Sequence, residues 1–448
     1  MSLDQLTPNS AAEARLGKER AVSAGEQSQA GAAVAPTQSQ AKCPIDHTAF
    51  FQKKTARAAE PMSAGDVERD ADGIWHIRGF RDARTVLRSG ETRQAGFRAE
   101  LIERVSGMGN VPILYQEGKA HQQQRKQTAR FFTPKAVSSD YRQLMETVAD
   151  ELIGSLKDTR RADLSALSLQ LAVRIASAVV GLTNSRMPGM DKRLDAFFTT
   201  AAGEEGRGWR HTLKRVWGAA QGQLRVAAFF YLDVKPAIEA RKRQPREDVI
   251  SHLLAQGYRD REILTECITY AAAGMVTTRE FIGMAAWHLL EEPETRARYL
   301  AAPEEERLAI LEEILRLEPV VGHLYRRATS DIHLATDAGA AAQLTIPQGA
   351  LIDLHIHAAN ADERVTGEHP FAVRPGRQLH GERVSPALLS FGDGAHRCPG
   401  SYIAMQETDI FLLRLFALDG LRMEHAPTVT WNDLVTGYEL RDFPITIA

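Results

Sequence analysis

The 448-residue sequence predicts a mainly α-helical fold with a minor β portion, organised as a single large domain. Helical apolar spacing recurs over most of the chain, whereas short β-like runs appear only near residue 75, between residues 329 and 356, and at the C-terminus. Hydrophobic residues make up 44% of the composition, which is enough to fill a sizeable core. Residues 1–45, rich in Ala, Gln, Ser and Gly, are expected to form a disordered tail before the folded domain, 46–448.

The first half of the folded domain begins with a strand and continues with helices. An alternating run between glycines, residues 73–79, predicts a strand, and residues 80–88 predict a short helix. Helical spacing then extends over 138–182 and 192–242. The second of these segments carries a cluster of large aromatic residues: Phe197, Phe198, Trp209, Trp217, Phe229, Phe230 and Tyr231.

The second half alternates between helical and β-like patterns. Helical spacing occurs in four segments: 248–256, 262–290, 303–317 and 401–418. The third of these must end near Pro319, which cannot continue a helix. Short β-like runs at 344–346 and 351–354 flank Gly349, and loop-forming residues dominate 360–398.

Charge and cysteine content exclude several classes of protein. Lys and Arg number 55 and Asp and Glu 57, so a net charge of −2 argues against nucleic acid as the main partner. No apolar run reaches the about 20 residues needed to span a bilayer, and a soluble cytoplasmic protein is expected. Cys43, Cys267 and Cys398 are too few for a disulfide framework, and Cys43 with His47 fixes no metal geometry.

The most informative segment is FGDGAHRCPG, residues 391–400. Cys398 stands just before an apolar helix, where free N–H groups and the helix dipole favour a thiolate. Gly394 and Gly400 allow tight turns and the close approach of a flat ligand, and Phe391 can shield the sulfur from water. A lone cysteine is also compatible with a buried, unreactive thiol.

The pattern F-x-x-G-x-x-x-C-x-G resembles the cysteine loop of the cytochrome P450 family, the haem-thiolate monooxygenases. The resemblance covers roughly residues 60–448 and implies the cytochrome P450 fold, with 46–448 as the haem-thiolate catalytic domain. It implies haem b (iron protoporphyrin IX) as the cofactor and Cys398 as the axial ligand of its iron. The thiolate of such a ligand favours O–O cleavage.

The pattern E-x-x-R occurs three times, as Glu204/Arg207, Glu304/Arg307 and Glu313/Arg316. Only the last pair lies in an apolar segment before Pro319, in the order of the family's K helix and first strand pair. The resemblance implies that Glu313 and Arg316 form a buried ion pair that fixes the loop before the cysteine. His369 or Arg374 is the candidate third partner. An ordinary surface pair is the alternative.

Residues 272–279, AAGMVTTR, resemble the family's oxygen-binding I helix. Gly274 costs a helix about 1 kcal/mol relative to Ala, and a bond from the Thr277 hydroxyl to the Ala273 carbonyl would bend it. The resemblance implies a groove for dioxygen at this bend and a proton-delivery role for Thr277. The residue before this threonine is commonly acidic in the family but is Val276 here, and the nearest acid is Glu280, one turn on. The candidate catalytic residues are therefore Thr277, Gly274, Val276 and Glu280.

Four cations match the family's positions for binding the two haem propionates: His121, Arg125, Arg326 and His396. His121 and Arg125 share a helical face at i,i+4 spacing. Each of the four could equally be an ordinary surface residue.

A second set of cations, Lys126, Arg130, Lys135 and Arg397, could form a positive face beside the cysteine. In the family this face docks a small acidic redox protein, although solvated surface charge is an equal alternative. No flavin or nicotinamide module is expected beyond the haem domain, so the resemblance implies ferredoxin and ferredoxin reductase as separate electron donors.

The resemblance places four segments around a substrate pocket: the loop 97–115, the aromatic cluster in 192–231, residues 271–276 and the turn 320–323. Arg207, Arg210, Lys214 and Arg215 either favour a polar or anionic substrate or form a solvated helix face. The expected function is hydroxylation or epoxidation of a small organic substrate in secondary metabolism, by a monomer.

Three alternatives stay open. The first, motivated by Val276, is a haem-thiolate enzyme that performs peroxide-driven, coupling or rearrangement chemistry. The second is a non-catalytic haem-binding protein, and the third is a helical interaction protein with a structural cysteine.

Overall fold

The structure is a computed structural model that describes residues 54–55, 65–96, 111–199, 221–335, 343–432 and 436–448. The chain divides into two units, Met1–Ala49 and Phe50–Ala448. The first unit, with the expected tail, Cys43 and His47, lies outside the described residues. All that follows concerns the second unit.

Helices account for most of the described residues. The α-helices are α1 (Phe80–Arg88), α2 (Gly118–Thr128), α3 (Pro134–Ala136), α4 (Arg142–Thr159), α5 (Leu164–Val180), α6 (Met190–Thr199), α7 (Lys235–Arg243), α8 (Val249–Ala255), α9 (Asp260–Ala271), α10 (Thr277–Glu291), α11 (Pro293–Ala301), α12 (Glu304–Leu317), α13 (Ile356–Ala359), α14 (Glu363–Thr366) and α15 (Ser401–Phe416). Residues 221–229 are also helical. Short 3₁₀ turns lie at Ile113–Tyr115, Ala129–Phe132 and Gly394–His396, and π turns at Val137–Tyr141, Phe230–Val234 and Ala272–Val276.

Twelve short strands are found within the described ranges. They are β1 (Val67–Arg69), β2 (Trp75–Ile77), β3 (Thr92–Ala95), β4 (Arg161–Asp163), β5 (His323–Ala328), β6 (Ile332–Ala335), β7 (Gln343–Ile346), β8 (Leu351–His355), β9 (Arg422–Met423), β10 (Thr428–Asn432), β11 (Gly437–Arg441) and β12 (Pro444–Thr446). The largest sheet has the order β1-β2-β8-β5-β3, and β2 and β8 are its parallel pair. Smaller sheets pair β10 with β11, β6 with β7, and β12 with both β4 and β9.

The main hydrophobic core surrounds α10. Apolar residues occupy every side of this helix, including Ile282, Met284 and Leu289, which are fully buried. A helix that is apolar all round must be covered on all sides. Helix α5 packs along α10, and α15 packs against both α4 and α12. A second core lies between α1 and the largest sheet.

The predicted fold class is confirmed, and most predicted helices and strands are found at the predicted residues. The helix over 248–256 is α8, with Asp248 accepting from the Ser251 N–H at its start and Gln256 at its end. The helical segment 138–182 is interrupted, because Arg160 takes a left-handed conformation with φ 58° and β4 follows it. None of the helices in the described ranges combines the length and apolarity needed to cross a membrane.

Candidate active site

The loop that carries Cys398 is closed by backbone hydrogen bonds and tight turns. The Cys398 N–H donates to the Phe391 carbonyl at 2.8 Å, and Gly392 and Gly394 both have φ of 67°. A Cβ at Gly394 would overlap the carbonyl oxygen of Leu87, at the end of α1. Gly394 is therefore required by a close approach to the backbone of α1. The approach of a flat ligand to this glycine stays a prediction.

Asp393 anchors the same loop to α1. Its carboxylate accepts from Nε of Arg84 and from Nε of Arg88, both at 2.9 Å, and from the Gly394 N–H at 2.7 Å. The two arginines are one helical turn apart and so lie on one face of α1. This anchor was not predicted, because nothing near Asp393 in the sequence marks its partners.

The Cys398 thiol lies at the N-terminal end of α15, as predicted. The helix begins at Ser401, with Gly400 before it, and the backbone N–H groups of both residues hydrogen-bond the sulfur. Burial raises the pKa of the Cys398 thiol, while these N–H groups and the guanidinium groups of Arg125 and Arg397 act in the opposite direction. A coordinated metal cation would deprotonate the thiol outright.

Cys398 is one of the residues that line a cavity of about 570 Å³. Its walls come from α2, the Ala129–Phe132 turn, α12, the cysteine loop and α15; they include Arg125, Thr128, Phe132, Leu308, Glu312, Phe391, Arg397, Tyr402 and Met405. Lys126, Arg130 and Lys135 are exposed on the segments that supply one wall, and Arg397 lines the cavity. Arg125 and Arg397 are therefore the cations that line this cavity with Cys398.

Glu313 and Arg316 form a buried, bidentate ion pair on α12. Arg316 donates to the two carboxylate oxygens of Glu313 at 2.8 and 3.0 Å, and both residues are less than 5% exposed. The third partner is Arg377, whose Nε donates to Glu313 Oε1 at 2.8 Å. The predicted candidates, His369 and Arg374, were wrong as side-chain partners. Arg374 contributes its backbone N–H to Glu313, and the carbonyl of His369 accepts from Arg377.

The correct partner had a signal in the sequence, because the third partner usually comes from a P-x-R-F segment in the family. Residues 375–377, PGR, match two of its three fixed positions, the proline and the arginine. The other E-x-x-R pairs behave differently. Glu304 accepts from Arg142 and Gln406, and Arg307 donates to Asp409, so these two residues serve separate partners. Glu204/Arg207 lies outside the described residues.

A buried asparagine that the sequence did not reveal connects α12 to the cysteine loop. Asn360 Nδ2 donates to the Arg316 carbonyl at 3.1 Å and to Ser390 Oγ at 2.8 Å, and its Oδ1 accepts from the Leu389 N–H at 2.9 Å. Ser390 Oγ in turn donates to the Leu315 carbonyl. The end of α12 and the residues just before Phe391 are thus held as one unit.

The helix distortion predicted around Gly274 and Thr277 is present. Residues Ala272–Val276 form a π turn between α9 and α10, and Thr277 Oγ1 donates to the Ala273 carbonyl at 2.6 Å. Ala273 and Thr277 are accessible here, while Val276 is 2% exposed and belongs to the core. A Cβ at Gly274 would meet Ala176 Cβ at 3.8 Å, which is ordinary contact, so packing alone does not require glycine there.

The structure places Glu280 away from this turn. Its carboxylate is fully buried and accepts from the Leu440 N–H at 2.7 Å, from Arg441 at 2.8 Å and from Arg279 at 2.7 Å. Glu280 is i+4 from Val276, so the two share a helix face that is rotated by about 100° from that of Thr277. The prediction that grouped Glu280 with Thr277 is corrected for this reason.

Three of the four predicted propionate-binding residues lie in one polar cluster. The rings of His121 and His396 stack with centroids 4.0 Å apart, and His396 Nε2 lies 3.0 Å from Glu117 Oε2. Arg326 is buried and donates to Gln94 Oε1, and Glu117 lies close enough to influence its charge. Glu117 was missed, since its partners come from distant parts of the chain.

Burial disfavours the protonated, cationic forms of His121 and Arg326 in this cluster. It lowers the pKa of His121 to about 4, with His396 and Arg125 adding to the effect, and it lowers the pKa of Arg326 to about 10. The fourth predicted residue, Arg125, donates to the Arg397 carbonyl. It therefore lies between the cluster and the cysteine loop.

The segments predicted to surround a substrate pocket are only partly described. Residues 97–110 and 200–220, with Trp209, Trp217 and the four cations at 207–215, lie outside the described residues, as do the side chains of Phe197 and Phe198. Phe229 is buried in the core, and Tyr231 is 54% exposed against Phe230. The turn at 320–323 packs on the β10–β11 hairpin through a bridge between Val321 and Gly437.

Comparison with known proteins agrees with this geometry. Residues 308–424, which include the Glu313–Arg316–Arg377 cluster and Cys398, match the family model described as Cytochrome P450. The chain is 26% identical to the biotin biosynthesis cytochrome P450 of Bacillus subtilis over 88% of this chain and 94% of that protein. The chain belongs to the cytochrome P450 family. This P450 is therefore an oxidoreductase of the monooxygenase class, and the cofactor of its family is haem.

A further relative and a solved structure support this family assignment. It is 26% identical to the mycinamicin IV hydroxylase/epoxidase of Micromonospora griseorubida, over 80% of this chain and 86% of that protein. The crystal structure of CalO2 has the same fold, with a TM-score of 0.69 and 22% identity, over 86% of this chain and 93% of that one.

Proposed function

We propose that this P450 binds haem b through Cys398 and transfers one oxygen atom from dioxygen to a small organic substrate, by hydroxylation or epoxidation. The position of the Cys398 sulfur carries the proposal. It lies at the start of α15, where two backbone N–H groups and two guanidinium groups favour its anionic form. Those groups would stabilise negative charge at the Cys398 sulfur, the atom that would hold the haem.

The residues around the loop fit the rest of the cofactor. Haem b carries two carboxylates, and Arg326, His121, His396 and Arg125 supply cationic or hydrogen-bonding groups between the loop and α2. Arg326 is 3% exposed, and the hydrogen-bond partners described for it are the neutral oxygens of Gln94 and Tyr325. A desolvated guanidinium is stabilised by an anion, so a carboxylate on the ligand suits this position.

Thr277 would hold a proton beside the reacting oxygen. When bound, the haem supplies activation of dioxygen with the thiolate as electron donor. The Thr277 hydroxyl now donates to Ala273, and the widened π turn leaves that hydroxyl accessible. The hydrogen bond to the Ala273 carbonyl fixes the orientation of this hydroxyl. Its oxygen can still accept a second hydrogen bond from water or substrate.

Electrons would come from separate proteins, a ferredoxin and its reductase. Lys126, Arg130, Lys135 and Arg397 offer a basic face on the cysteine side. An acidic electron carrier is attracted to such a face, and the attraction weakens with ionic strength.

The substrate belongs, in this proposal, to a biosynthetic pathway of secondary metabolism. The related hydroxylase/epoxidase acts on mycinamicin IV, and another relative is named for biotin biosynthesis. Oxygen insertion into a C–H or C=C bond is the reaction that the names hydroxylase and epoxidase of two relatives describe.

One observation favours a second candidate, a haem-thiolate enzyme driven by peroxide. Val276 occupies the commonly acidic position and lies in the core, and Glu280 is held by Arg279 and Arg441. Neither residue provides a carboxylate beside Thr277. An oxidant that already carries two protons and two electrons needs less proton delivery from the protein.

The ferrous–carbon monoxide spectrum tests the haem-thiolate assignment. The wild type should show the long-wavelength band of thiolate-ligated haem, and Cys398→Ser should lose it. Cys267→Ser is the matched control, because Cys267 is a fully buried core thiol. Retention of the band in Cys398→Ser, or absence of haem from the purified wild type, would overturn the proposal.

The electron source is tested with a substrate that shifts the iron spin state on binding. Product should form with a ferredoxin, its reductase and NAD(P)H. Turnover with peroxide alone would favour the second candidate, and substrate binding without turnover under either condition would favour a non-catalytic haem protein.

A further inference from the structure

A cluster of histidine and aspartate side chains lies on one face of the largest sheet. In the register of β2, β8 and β5, His76 is opposite Asp353, and His323 is opposite His355. Side chains two residues apart on a strand point to the same face, so these four residues project together. Arg326 alternates with His323 on β5 and therefore projects to the other face, toward the cluster of Glu117 and Gln94.

Three ligand atoms of this cluster converge on one point. His76 Nδ1 lies 2.9 Å from His355 Nε2, and Asp353 Oδ2 lies 3.4 Å from each of these nitrogens. Zinc–nitrogen and zinc–oxygen bonds of about 2.0–2.1 Å in a tetrahedral site place neighbouring ligand atoms about 3.3 Å apart. The observed triangle matches three corners of such a site.

The convergence needs a hydrogen-bonding proton or a cation between the atoms, and one N–H hydrogen bond between His76 and His355 meets this need along only one edge of the triangle. Imidazole nitrogens and a carboxylate oxygen each direct an electron pair to the same space, and lone pairs repel unless a proton or a cation lies among them. The side chains of Asp353 and His355 are about 7% and 6% exposed, so water screens this repulsion poorly. The His76 side chain is 19% exposed and leaves an entry path.

Asp70 and His323 hold His76 and Asp353 in orientations that suit metal binding. Asp70 Oδ2 accepts from His76 Nε2 at 3.0 Å, while Asp70 Oδ1 accepts from the Ile74 N–H at 2.8 Å. This contact leaves Nδ1 of His76 as the nitrogen with an available lone pair. His323 Nδ1 lies 2.9 Å from Asp353 Oδ1 and 3.1 Å from Oδ2, so it contacts both oxygens of this carboxylate, including the one in the triangle. Carboxylate–histidine contacts of this kind typically support metal-binding histidines.

We propose that His76, Asp353 and His355 bind one divalent transition-metal ion of the zinc type, with Asp70 and His323 as positioning residues. Three protein ligands leave the fourth tetrahedral position to water. The ion would join β2 to β8, which come from opposite ends of the domain, and it would stabilise the sheet because the unfolded chain cannot offer this set of ligands. The site is independent of the haem-thiolate assignment.

Zinc alone is the probe, with full-length holoprotein from which any affinity tag has been removed. Zinc retained after exchange into metal-free buffer is measured by elemental analysis, and the affinity by competition with a chromogenic chelator. The variants are His355→Ala and Asp353→Asn. The control is His333→Ala, an exposed histidine on β6 that is paired with Thr345.

The wild type and His333→Ala should each bind one equivalent of zinc, and zinc should raise their unfolding temperature. His355→Ala and Asp353→Asn should bind roughly 100-fold more weakly and lose the thermal shift. His323→Ala should retain one equivalent with an affinity about 10- to 100-fold lower, as expected for a positioning residue.

Absence of stoichiometric zinc in the wild type would overturn the proposal, as would equal binding by His355→Ala. Haem content and unfolding temperature without zinc identify variants that fail to fold, and His76→Gln then replaces them. Equal zinc affinity in a folded His76→Gln protein and the wild type would likewise overturn it.

Discussion

Arg377 Nε donates to Glu313 Oε1 at 2.8 Å, the same oxygen that Arg316 Nη2 engages at 3.0 Å. Two guanidinium groups therefore share one buried carboxylate. Arg377 also donates to the carbonyls of Thr366 and Ala372. The segment before the cysteine loop is thus fastened to α12 through charge and through backbone oxygens.

Arg377→Ala should destabilise the protein by roughly 3–5 kcal/mol, because it leaves a buried ion cluster incomplete. The free energy of unfolding measured with denaturant checks this value. Arg374→Ala is the matched control, since Arg374 contacts Glu313 through its backbone N–H, which alanine retains. Equal stabilities of the two variants would contradict the assignment of Arg377.

Gly394→Ala should disrupt the cysteine loop, whereas Gly400→Ala should fold normally. A Cβ at Gly394 meets the Leu87 carbonyl and the backbone has φ of 67°, so the expected cost is roughly 3 kcal/mol or more. A Cβ at Gly400 meets nothing within 4 Å, and φ there is −85°. Unfolding temperatures compare the two variants, and a stable Gly394→Ala protein would show that α1 can move away.

Thr277→Ala should lower product formation about 100-fold or more, if Thr277 holds the proton for the reacting oxygen. Consumption of NAD(P)H should fall less, so fewer electrons reach product. Thr277→Ser keeps a hydroxyl that can bond to Ala273 and should retain most of the yield. The ratio of product formed to NAD(P)H consumed is the measurement. An unchanged ratio in the alanine variant would remove Thr277 from the chemistry.

Glu266 should make stability depend on pH. It is 1% exposed; Oε1 accepts from the Ile113 N–H and from Gln124, and Oε2 contacts no hydrogen-bonding group among the described residues. Burial raises the pKa of Glu266 to about 7, above the about 4.5 of the unfolded chain, although the two hydrogen bonds oppose the shift. The native state then binds more protons between these values, so stability falls as pH rises.

The variant Glu266→Gln cannot titrate and isolates this effect. The free energy of unfolding of the wild type, minus that of Glu266→Gln, should fall by about 3 kcal/mol between pH 4 and pH 8. Denaturant unfolding at several pH values measures it. A difference that stays constant with pH would mean that folding leaves the pKa of Glu266 unchanged.

Local patterns in the sequence predicted what depends on neighbours in the chain. Spacings of a few residues were enough to predict the helical segment 248–256, the bond from Thr277 to Ala273 and the position of Cys398 before α15. The same spacing rule also explains the error at Glu280. Glu280 is four residues after Val276, so the two side chains share one helix face. That face is buried in the core and does not include Thr277.

Contacts between distant segments could not be predicted. Asn360 reaches Ser390, and Asp393 reaches Arg84, through the tertiary fold alone. Single polar residues in such positions look like any other loop residue in the sequence. The convergence of His76 and Asp353 depends in the same way on the pairing of β2 with β8.

The pairing of β2 with β8 has a consequence for how the protein is made. His76 and His355 are 279 residues apart in the chain, yet their strands are neighbours. Strands β1 to β3 leave the ribosome early but cannot complete their sheet until residue 355 has been synthesised. Long-range parallel pairing is slow, so the edges of the early strands stay open to aggregation during translation. Production in cells should therefore benefit from chaperones that shield these edges until synthesis is nearly finished.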